Sequence, residues 1–138
     1  MDASPAANLA GEGVAIHFEG ENHLQNVRQL TAGGQNAEAY WAFDGSALIY
    51  QAKTEGLECD QIFILDPHTA ETIMVSTGEG RTTSSYFYPT GNEIINSSTL
   101  HHDAYCPAEP DLSQGSVWQF YTTSDVYNAN ADGSNLRH

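Results

Sequence analysis

Asn128, Asn130 and Asp132 occupy alternate positions ahead of Gly133 in the stretch NANADGSN (Asn128 to Asn135). Side-chain oxygens at that spacing, followed by a glycine that permits a sharp turn, match the first half of a calcium-binding loop. The bidentate glutamate that would complete the loop falls one residue past the last one, and no flanking helix is expected. The same residues therefore also read as a plain turn between two strands, and calcium is the one cofactor they suggest. A second group, His101, His102, Asp103 and Cys106 in HHDAYC, gathers the ligand types of zinc. Neighbouring histidines on a strand point to opposite faces, so a full ligand set would need Glu109 or Asp111 as well. The alternative is a solvated loop. No G-x-S-x-G elbow, no H-E-x-x-H pair and no G-x-x-x-x-G-K-[ST] phosphate loop occurs. Without a catalytic signature, the chain reads as a non-enzyme.

The totals narrow the partners. The 138 residues carry a formal net charge of −14 with only four basic side chains: Arg28, Lys53, Arg81 and Arg137. A surface that acidic repels phosphate backbones and anionic head groups, which excludes nucleic acid and membrane surfaces as partners. It favours a basic protein segment or divalent cations, or serves solubility alone. No apolar run approaches the ~18 residues of a membrane span. The small, polar start MDASPAANLAGEG lacks a basic and an apolar region, so a signal peptide is absent or already removed. Cys59 and Cys106 are the only cysteines; one bridge or two free thiols are equally permitted.

The elements that must position these residues come in repeats. AEAYWAFDGSALIYQA (Ala37 to Ala52) is answered 46 residues later by TSSYFYPTGNEIINSS (Thr83 to Ser98). Tyr40-Trp41 falls over Tyr86-Phe87, Asp44-Gly45 over Thr90-Gly91, and Leu48-Ile49 over Ile94-Ile95. The same offset lays Gly34 over Gly80, and a shifted one lays Ile62-Phe63 over Val126-Tyr127. Each unit reads as four short strands, about 37–42, 47–52, 60–65 and 71–76 in the first, rich in apolar, aromatic and β-branched residues. Asp-Gly and Thr-Gly supply hairpin turns, and no sustained helical period appears. Four-stranded units at this period are what a β-propeller blade requires. The repeat-equivalent aromatics Tyr40, Trp41, Tyr86 and Phe87 are then expected in the core between blades. Asn96 heads a formal glycosylation sequon, but inside a predicted strand.

The second unit is interrupted at roughly Leu100 to Thr123. That insertion carries Pro107, Pro110, Trp118, Phe120 and Tyr121. Long loops on rigid β scaffolds tend to make functional contacts, so this Pro-rich aromatic loop is the leading candidate binding surface.

The blocks RQLTAGGQNAEAYWAFDGSALIYQA, CDQIFILD, STGEGRTTSSYFYPTGNEI and CPAEPD together resemble TolB-like β-propeller proteins, whose blade signature runs roughly P-x-W-S-P-D-G-x-x-I-A-F. Ala42-Phe43 stands where that signature prefers Ser-Pro, and Thr90 where it prefers Asp. The resemblance implies an all-β chain of about two four-stranded antiparallel blades. Residues 1–23 would form an extension with a candidate strand at 14–18, 24–36 the outer strand of a preceding blade, and 37–82 a blade. Residues 83–138 would form an incomplete blade containing the insertion at 100–123. It also implies that Cys59 and Cys106 take positions where relatives carry cysteines, their loops meeting on one face, with a disulfide in an extracytoplasmic setting. Its functional implication is a non-catalytic, periplasmic scaffold for protein interaction, linked to Tol-type transport and the cell envelope. The rival implication is the propeller portion of a larger hydrolase, a peptidase or amidohydrolase; a divalent-cation-binding propeller is a third. Since propellers use at least four blades, two arrangements follow. Either further blades complete the ring, or copies of the chain assemble into one.

Overall fold

The computed structural model describes residues 14–15, 19–113, 115, 117 and 119–138, and among them every regular element is a strand. Strands β3 (Gln35–Trp41), β4 (Leu48–Lys53), β5 (Gln61–Leu65) and β6 (Thr72–Met74) form one antiparallel meander in that spatial order. Strands β7 (Thr82–Phe87), β8 (Glu93–Ser98) and β9 (Asp125–Asn130) form a second, three-stranded sheet. A short pair, β1 (Val14–Ala15) with β2 (Arg28–Gln29), lies outside both. After β9 the chain turns back, and Arg137 exchanges two backbone hydrogen bonds with Asn128 where a fourth strand would run.

The repeat persists in fine detail. Each sheet has a bulge in its first strand, between Ala37 and Tyr40 and between Thr83 and Tyr86. In both, a non-glycine residue takes positive φ, Glu38 at 49° and Ser84 at 53°, as bulges with a left-handed residue do. The second bulge is tied across the gap between the sheets, because Ser84 N–H donates to Gln51 Oε1 at 3.0 Å.

Strand alternation puts two faces on each sheet. Ile49, Ile62 and Val75 of the first sheet meet Phe87, Ile94 and Ala129 of the second in one buried cluster. The opposite face of the first sheet, with Tyr50, Ala52 and Leu65, forms a second cluster against Leu30. The repeat now becomes informative. Ile62 is fully buried between the sheets, whereas its counterpart Val126, on the far face of the second sheet, is 59% exposed. The aromatics divide likewise, which corrects the expectation that all four are core. Phe87 is buried and Tyr40 half-buried, but Trp41 and Tyr86 are exposed. Trp41 pairs with Leu48, and Tyr86 with Ile95, on the faces that no further sheet covers among the described residues. Tyr86 keeps one aromatic neighbour, stacking on Tyr40 with ring centres 4.1 Å apart.

Candidate functional site

Antiparallel connectivity sends the loops alternately to two ends. The segments 54–60, 75–81 and 99–124 therefore emerge together at one end of the two sheets. There Cys59 of the first unit and Cys106 of the insertion are joined in a disulfide, 47 residues apart in sequence. The staple holds the insertion down across the strand ends.

Beneath it, Gln61 organises the loop that leads into β7. Its buried Oε1 accepts from Ser76 Oγ at 2.7 Å and Gly78 N–H at 3.1 Å, and its Nε2 donates to Gly80 O at 2.8 Å. A buried amide in that setting is satisfied on both sides, so it fixes backbone that no strand ladder reaches. Gly80 takes φ 59° and packs so close that a Cβ would sit 2.9 Å from Leu100 N. The next residue, Arg81, is thereby aimed under the insertion.

Arg81 is the hub of the end. Its Nη1 donates to Tyr121 Oη at 2.8 Å, its Nη2 to Glu109 Oε1 at 3.0 Å, and its Nε faces Asp60 Oδ2 at 3.5 Å. Tyr121 Oη in turn lies 3.4 Å from Ala108 O as a donor. Lys53 Nζ donates to the same Glu109 oxygen at 3.2 Å. That hydrogen bond, with the charges of Arg81 and Lys53, holds the Glu109 carboxyl below its usual range. Next to the hub lies a cavity of about 130 Å³, lined by Gln51, Thr83, Gln119 and Ser124 together with Asp60 and Arg81. The lining mixes these polar groups with Pro110 and the ring of Tyr121. It can accept and donate hydrogen bonds but presents no nucleophile paired with a base.

The residues expected to bind are distributed as follows. Pro110 and Tyr121 line the cavity, and Pro107 is half-buried beside the disulfide. Phe120 is 90% exposed, and Tyr105, Leu112 and Val117 of the same insertion are exposed as well. Trp118 lies outside the described residues.

The two metal readings meet different local chemistry. Asn128 Oδ1 accepts from Tyr88 Oη at 2.6 Å, and Asn130 Nδ2 donates to Ser134 Oγ at 2.9 Å. Asp132 Oδ1 accepts from Ser134 N–H and Oγ at 2.9 and 2.6 Å, bonds that lower its pKa. These are the contacts of an Asx turn with Gly133 at φ 83°. In HHDAYC the sulfur of Cys106 is spent in the disulfide, and His101 stacks on His138 instead of joining Asp103. The zinc reading is corrected on that ground. Among the described residues no group of three or more His, Cys, Asp or Glu is gathered as a metal would need. Asn96 of the sequon is buried in β8.

Sequence reasoning passed over Arg81 and Lys53. Their signal was scarcity, since two of only four cations close loops at the same end.

No protein-family model matches the sequence, and neither does any curated protein. Among solved structures, one from Agrobacterium tumefaciens described as a TolB matches with a TM-score of 0.60 at 20% identity. The match covers 81% of this chain and only 36% of that one, so the chain spans about a third of its length. At that identity the likeness speaks for the fold: the chain carries a TolB-like β-propeller fold, in about two blades' worth of antiparallel strands.

Proposed function

We propose that the chain is a non-catalytic propeller portion that docks a segment of another protein on its insertion loop. The observation that carries this is an apolar surface on a held loop. Tyr105, Leu112, Val117 and Phe120 face solvent while the loop beneath them is fixed by the disulfide and by the bond from Arg81 to Tyr121. Holding the loop before binding removes an ordering cost of about 0.5–1.5 kcal/mol per side chain. Aromatic anchors ringed by polar groups are also the usual composition of binding hot spots.

The partner segment is basic with apolar residues between its charges. A field of −14 speeds the approach of a cation and repels anions. It works outside the reducing cytoplasm, in the periplasm or cell envelope, where the Cys59–Cys106 bridge persists. Among the described residues no helix is long and apolar enough to cross a membrane. A Tol-type transport role follows only from the shared fold, and folds host many functions.

The test is a selection. A random peptide library displayed on phage is panned on the oxidised chain and counter-screened on Phe120→Ser. Recovered peptides should be rich in Lys or Arg with aromatic residues, bind more weakly as salt rises, and lose the variant. Peptides without basic enrichment, or binding Phe120→Ser as well as the parent, would overturn the proposal.

A further inference from the structure

Two of the four basic side chains in the sequence converge on a single carboxylate oxygen, Glu109 Oε1. The three groups are placed very unequally. The Arg81 side chain is 13% exposed and built into the strand ends, whereas that of Glu109 is 56% exposed and comes from the insertion. Arg81 is fixed at the strand ends, Lys53 stands 32% exposed at the end of β4, and the anion is delivered by the insertion, which is the relation of a receptor to its ligand.

Three features make the occupant exchangeable. An ion pair with so exposed a partner is weak, so little opposes its release. The loop does not depend on it for attachment, because Cys106 is bonded to Cys59 three residues before Glu109. Glu109 also uses the guanidinium end-on through Nη2 alone. Arg81 Nε is buried with Asp60 at 3.5 Å but makes no hydrogen bond. A carboxylate bound side-on to a guanidinium makes two parallel bonds and is held better. Beside the site, the cavity of about 130 Å³ leaves room for the rest of a small side chain or a chain end.

We propose that Arg81 and Lys53 form a carboxylate-binding site which the chain's own Glu109 occupies in the free protein, and that a carboxylate of a bound peptide segment exchanges with it. The carboxylate comes from a Glu or Asp side chain or from a C-terminus. In a molecule this acidic, one cationic site in the docking end sets the register of an otherwise basic segment. That consequence rests on the docking proposed above; the exchange itself does not.

The experiment uses N-acetylated pentapeptides of glycine with a central Glu (amidated end), with a central Gln (amidated end), or with a free C-terminus. Each is titrated into the oxidised chain and into Glu109→Gln while the side-chain NMR signals of Arg81 and Lys53 are followed. Emptying the site should tighten carboxylate binding about two- to sixfold, because wild type binds only through the fraction in which Glu109 is released. The Gln peptide should leave both signals in place, and Arg81→Met in the Glu109→Gln background should remove the response. Whichever carboxylate peptide binds Glu109→Gln more tightly identifies the source. The proposal is overturned if Glu109→Gln, still folded and bridged, binds neither carboxylate peptide more tightly than wild type. It is equally overturned if the Gln peptide shifts the same signals to the same extent. Loss of the library peptides in the Phe120 screen leaves these outcomes unaffected, so the two proposals fail separately.

Discussion

At the scale of single residues, the end that carries the insertion depends on atoms that leave no room for substitution. A Cβ at Gly80 would meet Leu100 backbone at 2.9–3.0 Å, at a φ that L residues avoid. Gly34, its repeat partner, stands under the same constraint, with a Cβ 2.8 Å from Lys53 O. Gly80→Ala is expected to cost about 1–3 kcal/mol, read as a lower denaturation midpoint with an unchanged slope. Gln61→Met would strand Gly78 N–H and Gly80 O and leave Ser76 Oγ only its bond from Ile62 N–H, and should cost about 2–3 kcal/mol in the same assay. Retention of wild-type stability by either variant would show that the loop rebuilds itself without them. The paired glycines were visible in the sequence as a coincidence of spacing. What they approach was not, because the backbone in question belongs to the next hairpin. Arg81 illustrates the same limit: its residue type was plain, but its three side-chain partners sit 21, 28 and 40 positions away in the chain.

At the scale of elements, the insertion is a loop with two anchors of different chemistry. The covalent one closes a 47-residue loop, so Cys59→Ser with Cys106→Ser should lower stability by about 2–4 kcal/mol and raise hydrogen exchange in 100–123. The ionic one responds to acid. Glu109 is held below its ordinary value of about 4.5, so its contribution is present above that value and is lost as pH falls through the lowered one. Protection of the loop amides, taken relative to their intrinsic exchange rate, should hold from pH 7 to 5 and fall only as pH drops below the ordinary carboxylate range, and Glu109→Gln should abolish that step. The strands were readable in advance because alternation and turn chemistry agreed: FDGS and PTGN became hairpin turns with Gly45 and Gly91 at positive φ. The fate of Trp41 and Tyr86 was not readable. Alternation assigns a side chain to a face, but only the neighbouring sheet decides whether that face is covered.

At the scale of the whole molecule, two surfaces stand out as copies of a buried interface. Val126, Ile95 and Tyr86 repeat positions that are covered in the first sheet, and Trp41 repeats the buried Phe87. Beside Leu30 and Tyr50 lies an apolar hollow of about 350 Å³, on the face equivalent to the one that receives Ile62. Complementary open faces on one body favour head-to-tail association. The isolated chain is expected to run above its 15.0 kDa in light scattering behind size exclusion. A discrete species of about 45 kDa would mark three copies closing a six-bladed ring, and salt should strengthen it by screening the shared negative charge. A monodisperse monomer at high salt would refute the association.

The bond between Cys59 and Cys106 also has a mechanical meaning. Pulled from its two ends, the oxidised chain bears tension only along the segments outside the bridge, while β5 to β8 hang slack between the sulfurs. The 47-residue span it shortcuts would add about 160 Å to the extended length at roughly 3.4 Å per residue once the bond is cut. A reductant therefore decides whether nearly half of the described strands can feel a load at all.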